Sequence, residues 1–408
     1  MATAATSADV SIPADQAAVA EAVRARYEAK EPICPVGGRT SLPNAAAEQL
    51  DLTQLTKVVD YTPRDMTILV EAGIRMSELA TTLAAEGQQL PIDVPRAAAA
   101  TLGGVVATGW CGPRRLGHGT IRDYVIGIHA VDGRGVAFKG GGRVVKNVAG
   151  YDFCKLLTGS MGTLGVVTQL ALKVKPLAER SSIVLAHCAD LAAAETILAR
   201  LSNLEATPAA IDLLVGPQWK PAVLTDAGGT ATIAVRVEGG EAEAKWLAEH
   251  VQYEFWQGGA VGAQLLGDAD ADRLWAHQVE FADRGAGDKH DASPLVVKIA
   301  VPPSAVVATI AELVAHDATC TIQAHAASGI IVARFANFTL ADVGSVLVGQ
   351  LRPAAIRRGG SLVVLGTTLD GLTPHIIWGG RTDATILMER IKREFDPHNI
   401  LNPGSFVF

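Results

Sequence analysis

Three glycine-rich segments contain the residues best suited to hold an anionic ligand. In chain order they are Pro35–Pro43 (PVGGRTSLP), Ala100–Gly127 (ATLGGVVATGWCGPRRLGHGTIRDYVIG) and Gly140–Lys173 (GGGRVVKNVAGYDFCKLLTGSMGTLGVVTQLALK). Glycines let a backbone adopt positive φ or approach a ligand closely, and consecutive N–H groups in such a turn form an anion-binding nest. Taken alone, the first segment is more typical of an ordinary Gly-Gly turn. The two later segments reverse that preference and favour a large cofactor with phosphates.

The charge distribution also favours an anionic ligand. Between Arg96 and Lys175 there are 11 Lys/Arg and 3 Asp/Glu, a local balance of +8, and the same 80 residues hold 16 of the 41 glycines. The remainder carries 24 Lys/Arg and 39 Asp/Glu. A basic docking face for an acidic partner would give the same charge count, but the glycines favour a pyrophosphate held by backbone N–H groups.

The composition argues against several classes of protein. At 408 residues, with 49% hydrophobic and 19% charged residues, the chain has enough apolar material for two or three domains. The net charge of −7 argues against nucleic-acid binding, and no apolar run is long enough to insert into a membrane. The first residues lack the features of a signal peptide, which predicts a cytoplasmic protein. The five cysteines are scattered without a C-x-x-C pair, so we expect no metal site.

Alternating strands and helices must position the glycine-rich segments. A helix is predicted over Ala14–Glu28, because Val19 and Val23 recur at helical spacing. A short strand, Ile33–Val36, then enters the first glycine turn. The pattern G-x-G-x-x-G is absent from the chain, which disfavours a Rossmann dinucleotide fold.

The second half of the chain predicts a different domain. From about Ala178, predicted strands and helices follow a repeated β–α–β–β order, with Leu191–Leu201 as one of the helices. A second set includes the strand Ile330–Phe335 and a long helix over Leu340–Ile356. This order is typical of a ferredoxin-like α+β domain.

The three glycine-rich segments, in this order, resemble the FAD-binding segments of the vanillyl-alcohol-oxidase (PCMH-type) flavoproteins. Within that family they are most similar to the FAD-binding subunits of bacterial glycolate oxidases. The resemblance covers about residues 32–176 well, the last dozen residues moderately and the middle poorly. It implies an α+β fold with a PCMH-type FAD-binding domain of two subdomains, about 10–95 and 96–177 within residues 1–177. A ferredoxin-like cap domain (178–375) follows, and residues 376–408 return to the FAD domain.

The resemblance also implies non-covalent FAD and a set of cofactor-binding residues. These expected contacts are Val36, Gly37, Gly38, Arg39, Thr40, Ser41, Thr101, Gly103, Gly104, Ala107, His118, Gly119, Gly165, Val167 and Asn402. Lys146 and Asn147 either face the cofactor cleft or order the loop before Tyr151, and the two alternatives are equally weighted.

The chain departs from the family pattern at several of these positions. Arg39 stands where the family usually has a third glycine, so its guanidinium either reaches the phosphates or marks a looser turn. Val105 and Gly109 replace asparagines found in related oxidases, which puts in doubt whether the flavin is tuned for substrate oxidation. Trp110 could stack on the flavin and His118 could attach it covalently, but a core indole and a surface imidazole are the favoured alternatives.

Few of the residues that would bind or activate a substrate in an oxidoreductase are found in the sequence. Relatives that oxidise 2-hydroxy acids carry a His-x-Gly-Asp-Gly-Asn-x-His run, and the comparable stretch, Ala324–Ile331, keeps one histidine, His325, and one glycine. We therefore assign no catalytic residue. The favoured hypothesis is an FAD-binding subunit of a multi-subunit glycolate (2-hydroxy acid) oxidase, whose flavin serves electron transfer or structure.

The partners implied by the resemblance are a catalytic flavin subunit and an iron–sulfur subunit, through which any association with the inner membrane would come. One alternative is a stand-alone FAD-dependent 2-hydroxy acid dehydrogenase that uses Arg381 or His375 on a substrate carboxylate. The other is a partner-binding scaffold that has lost its flavin.

Overall fold

The structure is a computed structural model that describes residues 10–40, 48–142, 150–219, 229–283 and 294–406. The chain divides into two compact units. The first comprises Met1–Cys111, Thr120–Leu177 and Gly380–Phe408, and the second comprises Gly112–Gly119 and Ala178–Gly379. Ser41, Lys146 and Asn147 lie outside the described residues.

The strands of the described residues are, in chain order, β1 (Val10–Ser11), β2 (Ile33–Val36), β3 (Glu48–Asp51), β4 (Val58–Thr62), β5 (Thr67–Glu71), β6 (Gln88–Gln89), β7 (Val125–Val131), β8 (Ala137–Gly141), β9 (Val166–Lys173), β10 (Lys175–Pro176), β11 (Arg180–Cys188), β12 (Ala210–Val215), β13 (Ala231–Gly239), β14 (Gly262–Leu265), β15 (Leu295–Ala300), β16 (Thr321–His325), β17 (Ile330–Phe335) and β18 (Ser361–Thr367).

The helices of the same residues are α1 (Gln16–Ala29), α2 (Met76–Ala84), α3 (Leu102–Thr108), α4 (Arg115–His118), α5 (Ile121–Tyr124), α6 (Phe153–Leu157), α7 (Leu191–Leu201), α8 (Glu241–Gln257), α9 (Asp268–Glu280), α10 (Val306–His316), α11 (Leu340–Asp342), α12 (Arg352–Arg357), α13 (Pro374–Trp378) and α14 (Asp383–Phe395). A π-helical stretch, Val343–Leu351, joins α11 to α12.

The first unit contains a five-stranded antiparallel sheet and a small parallel one. The larger sheet has the order β4-β5-β9-β7-β8, and β9 at its centre is almost entirely buried. The smaller sheet has the order β1-β3-β2, and Leu401 bridges to Ile33 beside it. The C-terminal segment is thereby tied to the strand that precedes the first glycine turn.

Local signals explain how α1 and the strand after it form. Asp15 caps the helix by accepting a hydrogen bond from the backbone N–H of Ala18, at 2.9 Å. Lys30 ends the helix in the left-handed conformation, with φ of 56°. Val19 and Val23 are fully buried with Ile33, so the helix lies against the core of the small sheet.

The second unit is built on one eight-stranded antiparallel sheet of order β14-β11-β13-β12-β16-β17-β15-β18. Each half of this order is a four-stranded ferredoxin-like sheet, and the second strands of the two halves, β12 and β16, pair at the centre. Leu213 stands opposite Ala324 in this central pair. Alternate side chains such as these two enter a large apolar core with α7, α8 and α10.

The predicted α+β fold class is confirmed, and several predicted elements match closely. Ile33–Val36, Leu191–Leu201 and Ile330–Phe335 have the expected bounds. The predicted helix over Leu340–Ile356 is helical throughout but not α-helical throughout. Pro353 stands at the start of the α-helical segment that follows the π-helical stretch, where its missing backbone N–H is tolerated.

The segment Gly112–Gly119 packs within the second unit, although sequence analysis placed it in the first domain. The backbone N–H of Gly117 donates to the carbonyl of Ala209, at 3.2 Å, and a Cβ at Gly117 would lie 2.9 Å from the Cα of Ala209. Leu116 packs against the core of the same unit. The contacts of this segment explain its placement.

Candidate functional site

One cleft in the first unit collects most of the predicted binding residues. Its lining comprises residues 34–40, Leu52, Ala72, Thr101, Gly103, Gly104, Ala107, Thr108, Met161, Gly162, Gly165, Val166, Val167, Asn402 and Ser405. Twelve of the fifteen predicted residues are among them, and Ser41 lies outside the described residues. His118 and Gly119 belong to the second unit, so their contact with a cofactor stays a prediction.

The glycines of the first turn are required by the chain itself. A Cβ atom at Gly37 would lie 2.1 Å from Oγ1 of Thr101, and one at Gly38 would lie 1.7 Å from the carbonyl oxygen of Ala99. A Cβ at Gly103 would similarly lie 2.9 Å from Cβ of Ala72. The turn and the start of α3 therefore approach each other closely enough to form one wall of the cleft.

Arg39 follows these glycines with a backbone φ of 52°, in the left-handed region that favours glycine. Its Nε and Nη2 atoms donate to Oε1 of Gln49, at 3.2 and 2.9 Å, and Nη2 lies 2.9 Å from Oδ2 of Asp51. Burial alone would raise the pKa of Asp51, but hydrogen bonds from Thr53 and Arg39 hold that pKa below its usual value. Asp51 therefore stays ionised as a partner for the guanidinium.

Asn402 brings the C-terminal segment into the cleft. Its φ is 45°, its backbone N–H donates to the carbonyl of Ile33 at 3.1 Å, and its Nδ2 donates to the carbonyl of Met161 at 2.9 Å. The amide oxygen, Oδ1, is buried and has no hydrogen-bond partner among the described residues. A buried acceptor of this kind is costly unless a ligand supplies a donor.

A buried lysine, Lys392, binds two backbone segments next to Asn402, one that precedes it in the chain and one near Met161. The ammonium of Lys392 donates to the carbonyls of Thr163 and Leu401, at 2.8 and 3.0 Å, and to Oδ2 of Asp396 at 2.6 Å. Burial lowers the pKa of Lys392, and the charge of Asp396 opposes that shift. One side chain thus joins α14 to two stretches of backbone next to the cleft.

The departures from the family pattern have structural explanations. Val105 is buried in the core of the first unit. Gly109 ends α3 with φ of 61°, and a Cβ there would lie 3.1 Å from the Cα of Gly159. The indole N–H of Trp110 donates to the carbonyl of Asp93 at 2.8 Å, and Trp110 is not among the cleft residues. These side chains are accounted for by packing, as expected for Trp110.

Sequence reasoning missed several residues of the cleft. Met161 and Gly162 belong to a motif that was identified, and the positive φ angles of 55° and 68° at these residues mark them as a tight turn. Leu52 and Ala72 stand just after β3 and β5 and carry no signal in the sequence. Only the folded sheets bring these two residues to the cleft.

The donors and acceptors that line this cleft suit FAD. Gly37 and Gly38 form a close-packed turn, Thr40 and Thr108 supply hydroxyl groups at its lining, and the unmatched Oδ1 of Asn402 calls for a donor such as a ribityl or ribose hydroxyl. The rest of the lining is largely apolar, which suits a planar ring system. These residues would hold the cofactor.

The second unit contains a buried polar cluster around Asp212, whose side chain is fully buried. Nδ1 of His325 lies 2.7 Å from Oδ1 of Asp212, and the side-chain amides of Gln278 and Gln323 each donate to Oδ2 at 2.7 Å. Within the described part of the chain, Oε1 of Gln278 is buried and finds no hydrogen-bond partner. His325 is the one histidine of the stretch compared with the substrate motif, and its partner Asp212 had no sequence signal.

A second cluster in this unit explains the position of His118. Its Nε2 atom lies 2.9 Å from Oε2 of Glu238, which also pairs with Arg236 at 2.6 Å and Arg114 at 3.4 Å. Burial would raise the pKa of Glu238, but the hydrogen bond with His118 and the charges of the two arginines lower it to about 2. The guanidinium of Arg236 stacks 4.1 Å from the ring of Trp275.

The two residues named for a stand-alone enzyme are not brought together within one unit. His375 lies on α13 in the second unit, where its carbonyl accepts a hydrogen bond from Arg352. Arg381 lies in the first unit and pairs with Glu389 at 2.6 Å. Neither is assigned a substrate.

The described ranges contain neither a cluster of metal-ligating side chains nor a membrane-spanning helix. In them, no three His, Cys, Asp or Glu side chains gather in a way that could hold a metal ion. No helix within those ranges combines the length and apolar character needed to cross a bilayer.

Comparison with known protein families gives two matches that together span most of the chain. The model of the FAD binding domain matches residues 8–141. The model of the C-terminal domain of FAD linked oxidases matches residues 177–363 and 380–406, which is more than half of the chain. The second match is interrupted near the point where the chain leaves the second unit.

Three curated relatives illustrate the range of similar proteins. The chain is 26% identical to the mitochondrial D-lactate dehydrogenase [cytochrome] of Arabidopsis thaliana, over 98% of this chain and 73% of the relative. It is 28% identical to a D-2-hydroxyglutarate dehydrogenase of Xanthomonas citri, over 91% of this chain and 83% of the relative. It is 32% identical to the glycolate oxidase subunit GlcE of Escherichia coli, but over 55% of this chain and 58% of that subunit.

Solved structures share the fold at low sequence identity. An alkyldihydroxyacetonephosphate synthase matches with a TM-score of 0.68 at 18% identity, covering 97% of this chain and 75% of that protein. A chitooligosaccharide oxidase matches with a TM-score of 0.66 at 16% identity, covering 97% and 91%. These likenesses establish the fold alone.

Proposed function

The chain belongs to the family of FAD-linked oxidases, and from this premise we propose that it is the FAD-binding subunit of a multi-subunit glycolate (2-hydroxy acid) oxidase. It is an FAD-dependent oxidoreductase, and relatives in the family are 2-hydroxy acid dehydrogenases and glycolate oxidase subunits. In this proposal, its partners are a catalytic flavin subunit and an iron–sulfur subunit, and its own FAD is bound non-covalently.

One observation carries the proposal: the cofactor cleft contains most of the predicted FAD-binding residues, while the stretch compared with the substrate motif keeps one histidine. The cleft gathers twelve predicted residues and keeps an unmatched acceptor on Asn402 for a ligand. In the described part of the second unit, the motif stretch offers His325, whose Nδ1 is bonded to Asp212. Electron transfer requires a held flavin but no base beside it, so such a division suits a subunit of a larger complex.

Bound FAD supplies a two-electron acceptor, and the chain's own residues hold and orient it. The close contacts at Gly37 and Gly38 fix the turn against Thr101. Asn402 positions an acceptor for a hydroxyl. Lys392 holds the carbonyl of Leu401, which precedes Asn402, and that of Thr163, close to the Met161 carbonyl that Asn402 contacts. Rigid placement of this kind limits reorganisation when the cofactor changes charge.

A second candidate is a stand-alone FAD-dependent 2-hydroxy acid dehydrogenase, and the Asp212–His325 pair favours it. If Nδ1 of His325 carries the ring proton, it donates a hydrogen bond to Asp212. The Nε2 atom of His325 is then unprotonated and can accept a proton. The D-lactate dehydrogenase of Arabidopsis thaliana and the D-2-hydroxyglutarate dehydrogenase of Xanthomonas citri also match 98% and 91% of this chain. The twelve predicted residues that line the cleft and the family match argue against the third reading, a scaffold that has lost its flavin.

The test compares the purified chain with the chain co-expressed with its two proposed partner subunits. Flavin is identified by absorption and released by heat, and dye reduction is then followed with glycolate, D-lactate and D-2-hydroxyglutarate. We expect released FAD in both samples and turnover of glycolate only in the complex. The variant H325N is assayed in both samples, with H316N at an exposed helix end as the matched control.

Each result separates the candidates. Turnover by the chain alone that H325N abolishes and H316N preserves would replace the subunit with the stand-alone dehydrogenase. Turnover by the complex that is insensitive to H325N supports the subunit, because the substrate is then oxidised elsewhere. A chain that takes up no FAD would contradict both.

A further inference from the structure

We propose that the guanidinium of Arg39 binds the pyrophosphate of the cofactor. A glycine at this position could not make this contact, because it has no side chain. The role presupposes that the cleft holds FAD. Arg39 follows Gly37 and Gly38 directly and lines the cleft together with them.

Charge is the first reason for this assignment. Of the described residues that line the cleft, Arg39 alone carries a formal charge. The pyrophosphate of FAD is dianionic, and an arginine fork matches phosphate oxygens in geometry as well as in charge. A cationic group at the lip of an otherwise uncharged cleft is therefore the natural partner of that part of the cofactor.

The backbone of Arg39 supplies the second reason. Its φ of 52° lies where glycine is unstrained and a residue with a Cβ is not. Its side chain is 40% exposed, so burial of apolar surface does not repay that strain. Lys30 adopts a similar φ as the C-cap of a helix, but Arg39 ends no helix, and strained residues outside such caps cluster at ligand sites.

The orientation of the guanidinium supplies the third reason. Gln49 accepts from Nε and Nη2, and Asp51 pairs with Nη2, so two residues of β3 hold one edge of the fork. In the described chain, the remaining nitrogen, Nη1, makes no hydrogen bond. One edge of the guanidinium is thus fixed by protein, and the other keeps donors for a ligand.

The test uses glycine and lysine variants of Arg39 and a control with the same backbone strain. R39G removes the charge while relieving the positive φ, so it is not expected to unfold the turn. Lys30 also has a left-handed φ, 56°, and lies at the exposed end of α1 outside the cleft, so K30G relieves equal strain without touching the ligand. R39K keeps a charge but loses the fork.

FAD dissociation constants are measured by flavin fluorescence on apoprotein at low and high salt, and thermal melting of each apoprotein is recorded in parallel. We expect R39G to weaken FAD binding at least tenfold and to lose most of its salt dependence, with R39K in between. K30G should bind FAD as the wild type does. Apo K30G should melt no lower than the wild type. Apo R39G loses a partly exposed ion pair with Asp51 but relieves the positive φ, so its melting temperature should change little.

Binding of FAD by R39G within twofold of the wild type would overturn the assignment and leave Arg39 as a turn residue paired with Asp51. A melting temperature for apo R39G well below that of K30G would also overturn it, because the side chain would then act through the fold. Wild-type apoprotein that takes up no FAD is a different failure, since it would overturn the proposed function itself.

Discussion

The imidazole of His325 and the carboxylate of Asp212 form a buried pair, with Nδ1 and Oδ1 2.7 Å apart. Gln278 and Gln323 donate to the other carboxylate oxygen from a helix and a neighbouring strand. The carboxylate therefore joins β12, β16 and α9 through three hydrogen bonds. Whatever its role in chemistry, this pair sits where the two halves of the large sheet meet.

We expect D212N to destabilise the second unit by about 3 kcal/mol, because the new amide would place a donor against the donors already aimed at Asp212. Urea unfolding followed by circular dichroism would measure the change. Asp268 is an exposed partner of Arg180, so D268N should change the stability by less than about 1 kcal/mol. Equal effects of the two variants would show that the buried carboxylate has no special importance.

Lys392 gives a second prediction, for the first unit. K392M keeps the length of the side chain but removes three hydrogen bonds and leaves Asp396 buried without its cation. We expect a loss of about 3 kcal/mol in stability, and weaker FAD binding because the carbonyls of Thr163 and Leu401 are no longer held. R393M changes an exposed neighbour on the same helix and should alter neither measurement.

A substitution at Gly38 tests the close approach of the first glycine turn to the backbone of Ala99, which shapes the cleft. In G38A the new Cβ would lie 1.7 Å from the carbonyl oxygen of Ala99, so backbone must move and we expect a loss of about 2 kcal/mol together with weaker FAD binding. The control G380A also lies in the first unit, where its Cβ would meet nothing within 4 Å. Thermal melting and FAD titration of the two variants check the expectation, which fails if G38A behaves like G380A.

The lowered pKa of Glu238 predicts that part of the free energy of unfolding is lost in acid. Its pKa is lowered from 4.5 to about 2 in the folded chain, so the carboxylate contributes about 3 kcal/mol above pH 4.5, and that contribution is lost as the pH falls toward 2. E238Q should be less stable at pH 7 and should lose less stability over this acid range. E249Q, at an exposed position on α8, should follow the wild-type profile. Parallel pH profiles for E238Q and the wild type would contradict the assignment.

The sequence predicted those parts of the molecule whose signals are local. Hydrophobic spacing placed Leu191–Leu201 and Ile33–Val36 correctly, because burial of one helix face or one strand dictates the residue pattern. Paired glycines marked the turn at Gly37 and Gly38, because only a missing Cβ allows the contact made there. Such features require no knowledge of distant residues.

The remainder depends on contacts between residues far apart in the chain. Lys392 looks like any helical lysine in the sequence, and only its distance to Thr163, 229 positions earlier, reveals its role. Leu116 likewise packs against the core of the second unit, and no local signal in the sequence indicates these partners. The interaction of Asp212 with His325 likewise arises only because β12 and β16 pair and place the two residues opposite each other.

The interrupted layout of the first unit has a consequence for its biosynthesis. Gly380–Phe408 joins that unit only after Ala178–Gly379 has left the ribosome. Asn402 and Lys392 both belong to this late segment, so a nascent chain cannot close the cleft while the second unit is still being translated. The cleft, as lined here, is therefore assembled only after nearly the whole chain has been synthesised.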